Sequence, residues 1–156
     1  TGAVLAGLEP DLGGKYNPFH LLSADGKRTA LVSSGVDGVR IRELPPGIHV
    51  VGNGDPEDAA PGKLGRVRAA AERVDPGAPW ERIVGDLVEL LSDHGDSNTF
   101  ENACVHAPDY GTRSSAVIAL GAARRGYWIA DGPPCRAKFT NWSRLLDDLR
   151  QASALG

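Results

Sequence analysis

The sequence contains no methionine, only two cysteines and no long apolar run. Without methionine the initiator is missing, so we expect the chain to be either a fragment or the mature product of cleavage. Cys104 and Cys135 lie far apart and fit neither a CxxC site nor a disulfide-dense scaffold, which predicts reduced thiols and a cytoplasmic protein. No apolar run approaches the roughly 20 residues that span a bilayer. A formal charge of −3 gives no reason to expect nucleic acid or an anionic membrane as a partner.

The hydrophobic residues of the chain are numerous enough to form one hydrophobic core. A length of 156 residues, 41% of them hydrophobic, predicts a single domain over residues 1–156. Short apolar or alternating runs predict two blocks of strands, and apolar residues spaced by three and four predict helices. Because two helices follow the first block of strands and one follows the second, the pattern predicts an α+β layered domain without β-α-β alternation.

Strands are predicted over residues 16–23, 29–33, 39–42, 48–51, 103–107, 116–120 and 127–130, with tight turns at Asp25-Gly26 and Asp37-Gly38. Helices are predicted within residues 1–12, over residues 64–74 with Arg66, Arg68 and Arg73 pointing outward, over residues 79–91, and from about residue 141 with Thr140 or Asn141 as the N-cap.

A polar stretch, residues 110–115, lies between two of the predicted strands. Its hydroxyl-bearing side chains surround one guanidinium, that of Arg113, and they belong to Tyr110, Thr112, Ser114 and Ser115. A guanidinium has five donors in a fixed fork, which suits a carboxylate, phosphate or carbonyl oxygen. Serine and threonine also bond the local backbone in turns. The stretch therefore either binds a ligand or ties down a turn, and its chemistry leaves both roles open.

Several short segments occur in a fixed order: Asn-Pro-Phe-His-Leu-Leu at 17–22, Pro-Gly-Ile-His at 46–49 running into Asn53, Lys63, and Tyr-Gly-Thr-Arg-Ser-Ser at 110–115. Taken together, they resemble the NRDE family, also called the transport and Golgi organisation family. The sequence Ala-Asp-Gly-Pro-Pro-Cys at 130–135 is similar to the bacterial, particularly the actinobacterial, branch. The resemblance covers essentially the whole chain.

The resemblance implies an N-terminal-nucleophile hydrolase fold, a four-layer αββα sandwich. Family members begin with a cysteine near the initiator and carry an early Asn-Arg-Asp-Glu signature, and neither is present here. We therefore expect this chain to be the C-terminal portion, or a processed chain, of an NRDE domain that lacks its N-terminal part. The nucleophile would then lie upstream, in the same gene product, with Thr1 as an alternative processed nucleophile.

The resemblance also implies catalytic residues. Asn53 is similar to the asparagine that bile-salt and penicillin V hydrolases place near the scissile bond, and Arg113 to their late arginine. Each has a plainer interpretation: Asn53 is a turn residue in a Gly-Asn-Gly loop, and Arg113 forms a surface ion pair. For Thr1 the favoured interpretation is a simple boundary, because the residues after it favour a helix over the strand that presents such a nucleophile. The neighbouring hydroxyls of the 110–115 stretch are predicted to bind substrate.

Two functions follow as expectations. The first is hydrolysis of an amide bond in a small, unidentified substrate. The alternative is a non-catalytic carrier of hydrophobic ligands such as haem or acyl-CoA, since eukaryotic relatives are associated with haem trafficking and acyl-lipid metabolism. No cofactor and no metal site are predicted: His20, His49 and His106 are interpreted as packed residues, Cys104 as a core residue and Cys135 as an exposed thiol.

Overall fold

The computed structural model describes residues 17–24, 28–52, 62–95, 99–121 and 125–154. The predicted helix within residues 1–12 and the predicted turn at Asp25-Gly26 lie outside these ranges. The chain divides into two compact units, residues 1–58 and 59–156. Among the described residues, no helix combines the length and the apolar character needed to cross a bilayer.

The first unit contains a three-stranded antiparallel sheet in the order β1-β2-β3. Its strands are β1 (Phe19–Ala24), β2 (Thr29–Gly35) and β3 (Gly38–Leu44). Gly35 pairs with Gly38 across a two-residue turn at Val36-Asp37, so a tight turn forms here, one residue before the predicted Asp37-Gly38. The central strand has neighbours on both sides and carries most of the buried side chains of this sheet, including Leu31 and Val32.

The fourth strand predicted for this block, over residues 48–51, is wrong. These residues have no strand structure, and His49 Nε2 donates to the carbonyl oxygen of Pro45 at 2.8 Å. Pro45 and Pro46 have no backbone N–H to donate to a ladder, so the sheet ends before them. On β3, Arg40 and Arg42 are exposed as predicted, but Ile41 is also half exposed.

The second unit begins with two helices, α1 (Lys63–Ala71) and α2 (Trp80–Leu91), close to the predicted bounds. Pro79 is the N-cap residue of α2, and Glu81 lies in its first turn, where a carboxylate interacts favourably with the helix dipole. The two helices contact each other. Neither of them contains a fully buried residue.

A second antiparallel sheet has the order β4-β5-β6. Its strands are β4 (Ser115–Leu120), β5 (Arg125–Ala130) and the short β6 (Thr140–Asn141), and the last helix is α3 (Ser143–Ala154). Helix α3 packs on β5, and α2 contacts β4. Asn141 Oδ1 accepts a hydrogen bond from the Ser143 backbone N–H at 2.9 Å, so one of the two predicted cap residues makes the capping contact.

The predicted strand over residues 103–107 is also wrong. Only one isolated bridge forms there, between His106 and Gly111. A 3₁₀ turn at Thr99–Glu101 precedes this segment. The described residues nevertheless confirm the α+β class, with two small antiparallel sheets and three helices.

Trp128 on β5 gives a test of the packing in the second unit. Its ring stacks on Trp80 with centroids 6.2 Å apart, and a Cβ added at Gly126 would overlap that ring. We expect Gly126→Ala to destabilise the protein by about 1 to 3 kcal/mol, because the added methyl must displace a ring that Trp80 holds. Urea unfolding followed by tryptophan fluorescence measures this change.

Gly85→Ala is the matched control, because nothing lies within 4 Å of a Cβ added at this position of α2. Alanine is favoured over glycine in a helix interior by about 1 kcal/mol, so this variant should be slightly more stable. Equal destabilisation by both substitutions would contradict the packing described for Trp128.

Candidate functional site

The 110–115 stretch begins by pairing back onto the segment before it. The Ala107 backbone N–H donates to the Tyr110 carbonyl at 2.8 Å, which closes a turn. The Thr112 backbone N–H donates to the Val105 carbonyl at 3.0 Å, and the Val105 N–H donates to Thr112 Oγ1 at 3.0 Å. The Thr112 hydroxyl is therefore engaged by the backbone, and both backbone groups of the buried Val105 are satisfied.

Gly111 permits this close pairing. A Cβ at position 111 would lie 3.0 Å from the Val105 carbonyl oxygen, which is closer than most side chains tolerate. Gly111 also forms the bridge with His106. Residues 105 and 106 are consequently held against the turn, although they are not part of a sheet.

An open groove of about 780 Å³ lies beside this turn. Tyr110, Thr112 and Arg113 line it from the turn, and Asp131 and Arg136 line it from the segment after β5. Of the predicted substrate-binding residues, Tyr110 and Thr112 therefore line a cavity, and the Tyr110 ring also contacts the ring of Phe100 with centroids 6.1 Å apart.

The other two predicted hydroxyl residues are placed differently. Ser114 is exposed, and Ser115 is the first residue of β4. The structure thus brings three of the five predicted residues of the stretch into the groove, namely Tyr110, Thr112 and Arg113.

Arg113 is exposed, and no ion pair with it is found among the residues that the structure describes. The surface ion pair considered from the sequence is therefore not seen in these ranges. Arg136 provides a second guanidinium on the same groove, while Asp109 and Asp131 provide carboxylates. Two predicted catalytic residues, Asn53 and Thr1, lie outside the described residues.

A cluster of nitrogen and sulfur donors adjoins the groove. It consists of His94, Cys104, His106 and Cys135, and one donor atom from each lies within 4.8 Å of all the others. Cys104 Sγ is 3.6 Å from Cys135 Sγ and 3.5 Å from His106 Nε2, and His106 Nε2 is 3.2 Å from Cys135 Sγ. The ring of His94 lies against that of His106 with centroids 5.2 Å apart.

Three separate segments bring these donors together. His94 follows α2, and the Cys104 backbone N–H donates to the Asp93 carbonyl at 2.9 Å, which joins the first two segments. The third is a turn in which the N–H groups of Arg136 and Ala137 donate to the Pro133 carbonyl, and this turn presents Cys135. The four donors can hold a metal ion, a possibility that the sequence analysis missed.

One signal for this cluster was present in the sequence. Cys104 and His106 are two residues apart, and side chains at i and i+2 share one side of an extended segment. The prediction of Cys104 as a core residue is confirmed, since it is fully buried. Cys135 is half-buried rather than fully exposed, and it has His106 as a neighbour, although the sequence showed no base beside it.

The surroundings shift two pKa values in the cluster. Burial raises the pKa of the Cys104 thiol, and the charge of Cys135 adds to this rise. Loss of solvation lowers the pKa of His106, and the positive charges of Arg136 and His94 lower it further. Both shifts favour the neutral forms of the two side chains.

Arg66 supports the cluster from α1. The sequence predicted an outward side chain, but Arg66 is half-buried and donates to the Glu101 carbonyl. Its Nε lies 3.7 Å from Asp93 Oδ2, with the two side chains 35% and 39% exposed. This prediction is wrong because the guanidinium binds the two segments that carry His94 and Cys104.

The groove and the cluster are one region, because His106 belongs to both and Arg136 directly follows Cys135. Comparisons of the chain with protein-family models, curated proteins and solved structures found no match. The chemistry of the site therefore rests on its own residues. These offer guanidinium groups to an anion and nitrogen and sulfur donors to a metal ion.

Thr112 allows a direct test of how the turn is held. Thr112→Val keeps the shape of the side chain but leaves the N–H of Val105 without its acceptor. We expect a loss of about 1 to 3 kcal/mol in the free energy of unfolding, because the N–H belongs to a buried residue. Thr112→Ser keeps the hydroxyl and should retain most of the stability. Chemical denaturation measures both, and a valine variant as stable as the serine variant would refute the role of this hydrogen bond.

Proposed function

We propose that the chain belongs to an NRDE-family protein that hydrolyses an amide bond in a small substrate carrying a carboxylate. The proposal includes a four-layer αββα sandwich of the N-terminal-nucleophile hydrolase type and a cytoplasmic location, where two thiols 3.6 Å apart would stay reduced. The α+β class and the sequence segments that resemble the family support it.

The observation that carries the proposal is the groove beside the 110–115 turn. Arg113 and Arg136 both line it, and a guanidinium binds a carboxylate through two parallel hydrogen bonds. Tyr110 lines the same groove, and its hydroxyl is a donor for a second oxygen. A carboxylate anchored here would hold the rest of the substrate in one orientation, which is a large part of the catalytic effect of an enzyme.

The chemistry requires a nucleophile that the groove itself does not supply. In the proposal an upstream residue, or alternatively Thr1, attacks the carbonyl carbon while its own α-amine takes the proton. Asn53 donates to the oxyanion, the carbon–nitrogen bond breaks, and the proton passes to the leaving amine. Water then attacks the acyl-enzyme and releases the acid, which regenerates the nucleophile.

The test uses the protein expressed together with its upstream coding sequence and a panel of N-acyl amino acids. Released amine is measured with a fluorogenic reagent. We expect Arg113→Gln to raise KM by about 10-fold or more with a smaller change in kcat, because it removes a charge-assisted contact to the carboxylate. Arg125→Gln, an exposed arginine on β5, is the matched control and should leave both constants unchanged.

Asn53→Ala in the same protein should lower kcat by about 10²-fold or more, as loss of an oxyanion donor does. Absence of amine release from the whole panel would contradict the hydrolase. Titrations with haem and with long-chain acyl-CoA distinguish the alternative, since saturable binding without cleavage would show a carrier.

A further inference from the structure

We propose that His94, Cys104, His106 and Cys135 bind one Zn²⁺ ion and that this ion is a structural zinc that stabilises the second unit. The inference does not depend on the proposed hydrolase activity. It rests on the positions of the four donor atoms and on the segments that carry them.

The distances between the donors fit one tetrahedral ion. With Zn–S near 2.3 Å and Zn–N near 2.05 Å, the edges of the tetrahedron are about 3.8 Å for S–S and about 3.6 Å for S–N. The distances are 3.6 Å between Cys104 and Cys135 Sγ, and 3.5 and 3.2 Å from these sulfurs to His106 Nε2. Three of the four ligands therefore already form one face of the tetrahedron.

His94 completes the set. It is exposed, its donor atom lies within 4.8 Å of the other three, and its ring rests against that of His106. A tetrahedral edge between two imidazole nitrogens is about 3.3 Å, so an adjustment of at most about 1.5 Å brings His94 into place. An exposed side chain can make this adjustment without disturbing a packed core.

The kind of donor selects the ion. Two thiolates with two imidazoles in a tetrahedral arrangement are typical of zinc, whereas calcium and magnesium prefer oxygen. A two-iron cluster with the same ligand types places the cysteines and histidines on different irons. Donors that all lie within 4.8 Å of one another suit a single ion better.

A disulfide is the main competing interpretation of the two cysteines. A disulfide requires a sulfur–sulfur distance of about 2.05 Å, and the two atoms are 3.6 Å apart as free thiols. A disulfide would also leave His94 and His106 without a reason to converge. One bound ion accounts for all four residues.

The structural role follows from how little else holds these segments. Among the described residues of this unit the buried apolar side chains are Cys104, Val105, Val117 and Ala130, none larger than valine. Helices α1 and α2 contain no buried residue. A metal ion is a common substitute for a core of this size, and four protein ligands leave no open position for catalysis.

The first experiment measures the metal content of the untagged protein by inductively coupled plasma mass spectrometry. We expect about one zinc per chain in the wild type. Cys104→Ser and Cys135→Ser should lose most of the zinc, and His106→Ala should bind it far more weakly. His49→Ala is the matched control, because His49 is exposed and bonds the carbonyl of Pro45, and it should keep the full content.

The absorption spectrum of the cobalt-substituted protein then identifies the types of ligand. The Co²⁺ form of the wild type should show the visible bands of a tetrahedral ion and the charge-transfer bands of two thiolates. When enough Co²⁺ is added to saturate each weakened site, either serine variant should show about half of the charge-transfer intensity, whereas His106→Ala should retain it and change the visible bands. A variant that merely unfolds would lose both sets of bands, so the two outcomes are distinct.

Removal of the ion from the wild type avoids the folding of variants altogether. A strong chelator should lower Tm by about 5 °C or more and expose both thiols to alkylation, and added Zn²⁺ should reverse both changes. The proposal is overturned if the purified protein holds no metal and takes up neither Zn²⁺ nor Co²⁺. An intact mass lower by two hydrogens, which shows a disulfide, would overturn it as well.

Discussion

The backbone of Val105 is the constraint on which the site depends. Its N–H and C=O are both bonded to Thr112, and the N–H of the preceding Cys104 is bonded to the Asp93 carbonyl. These bonds fix the backbone of residues 104 and 105, both of which are buried, and Cys104 Sγ lies 3.5 Å from His106 Nε2. The same pairing shapes the turn that presents Tyr110 and Arg113 to the groove.

Elements with strong local signals were predictable. Helices α1 and α2 repeat apolar residues at helical spacing, and an Asp-Gly pair is typical of a tight hairpin turn. The two helices and the turn near Asp37-Gly38 were therefore predicted close to their actual positions. The predicted strands over 48–51 and 103–107 failed for a shared reason. A run of apolar residues is permissive for a strand, but a strand forms only beside a partner, and the partner is not encoded within the run.

Convergence of distant residues was not predictable in the same way. Cys104 and His106 are close in the sequence, but His94 follows a helix and Cys135 lies in a turn after β5. Arg66 was expected on the solvent-exposed face of α1 because the helical spacing of the apolar residues placed it there. The carbonyl of Glu101, which draws it inward, belongs to a segment whose position the helix does not determine.

Because His106 belongs to both the groove and the cluster, loss of the proposed ion and loss of Arg113 would have different effects on the site. His106 lines the groove and is also a donor in the cluster, whereas Arg113 lines the groove and is not part of the cluster. Loss of the ion would remove the link between the segments that carry His106 and Cys135, and Arg136 follows Cys135 directly, so two walls of the groove would lose a connection to each other. Loss of Arg113 would remove an anchor for a carboxylate and leave the four donors in place. Binding in the groove would therefore depend on the metal, while metal binding would not depend on the groove.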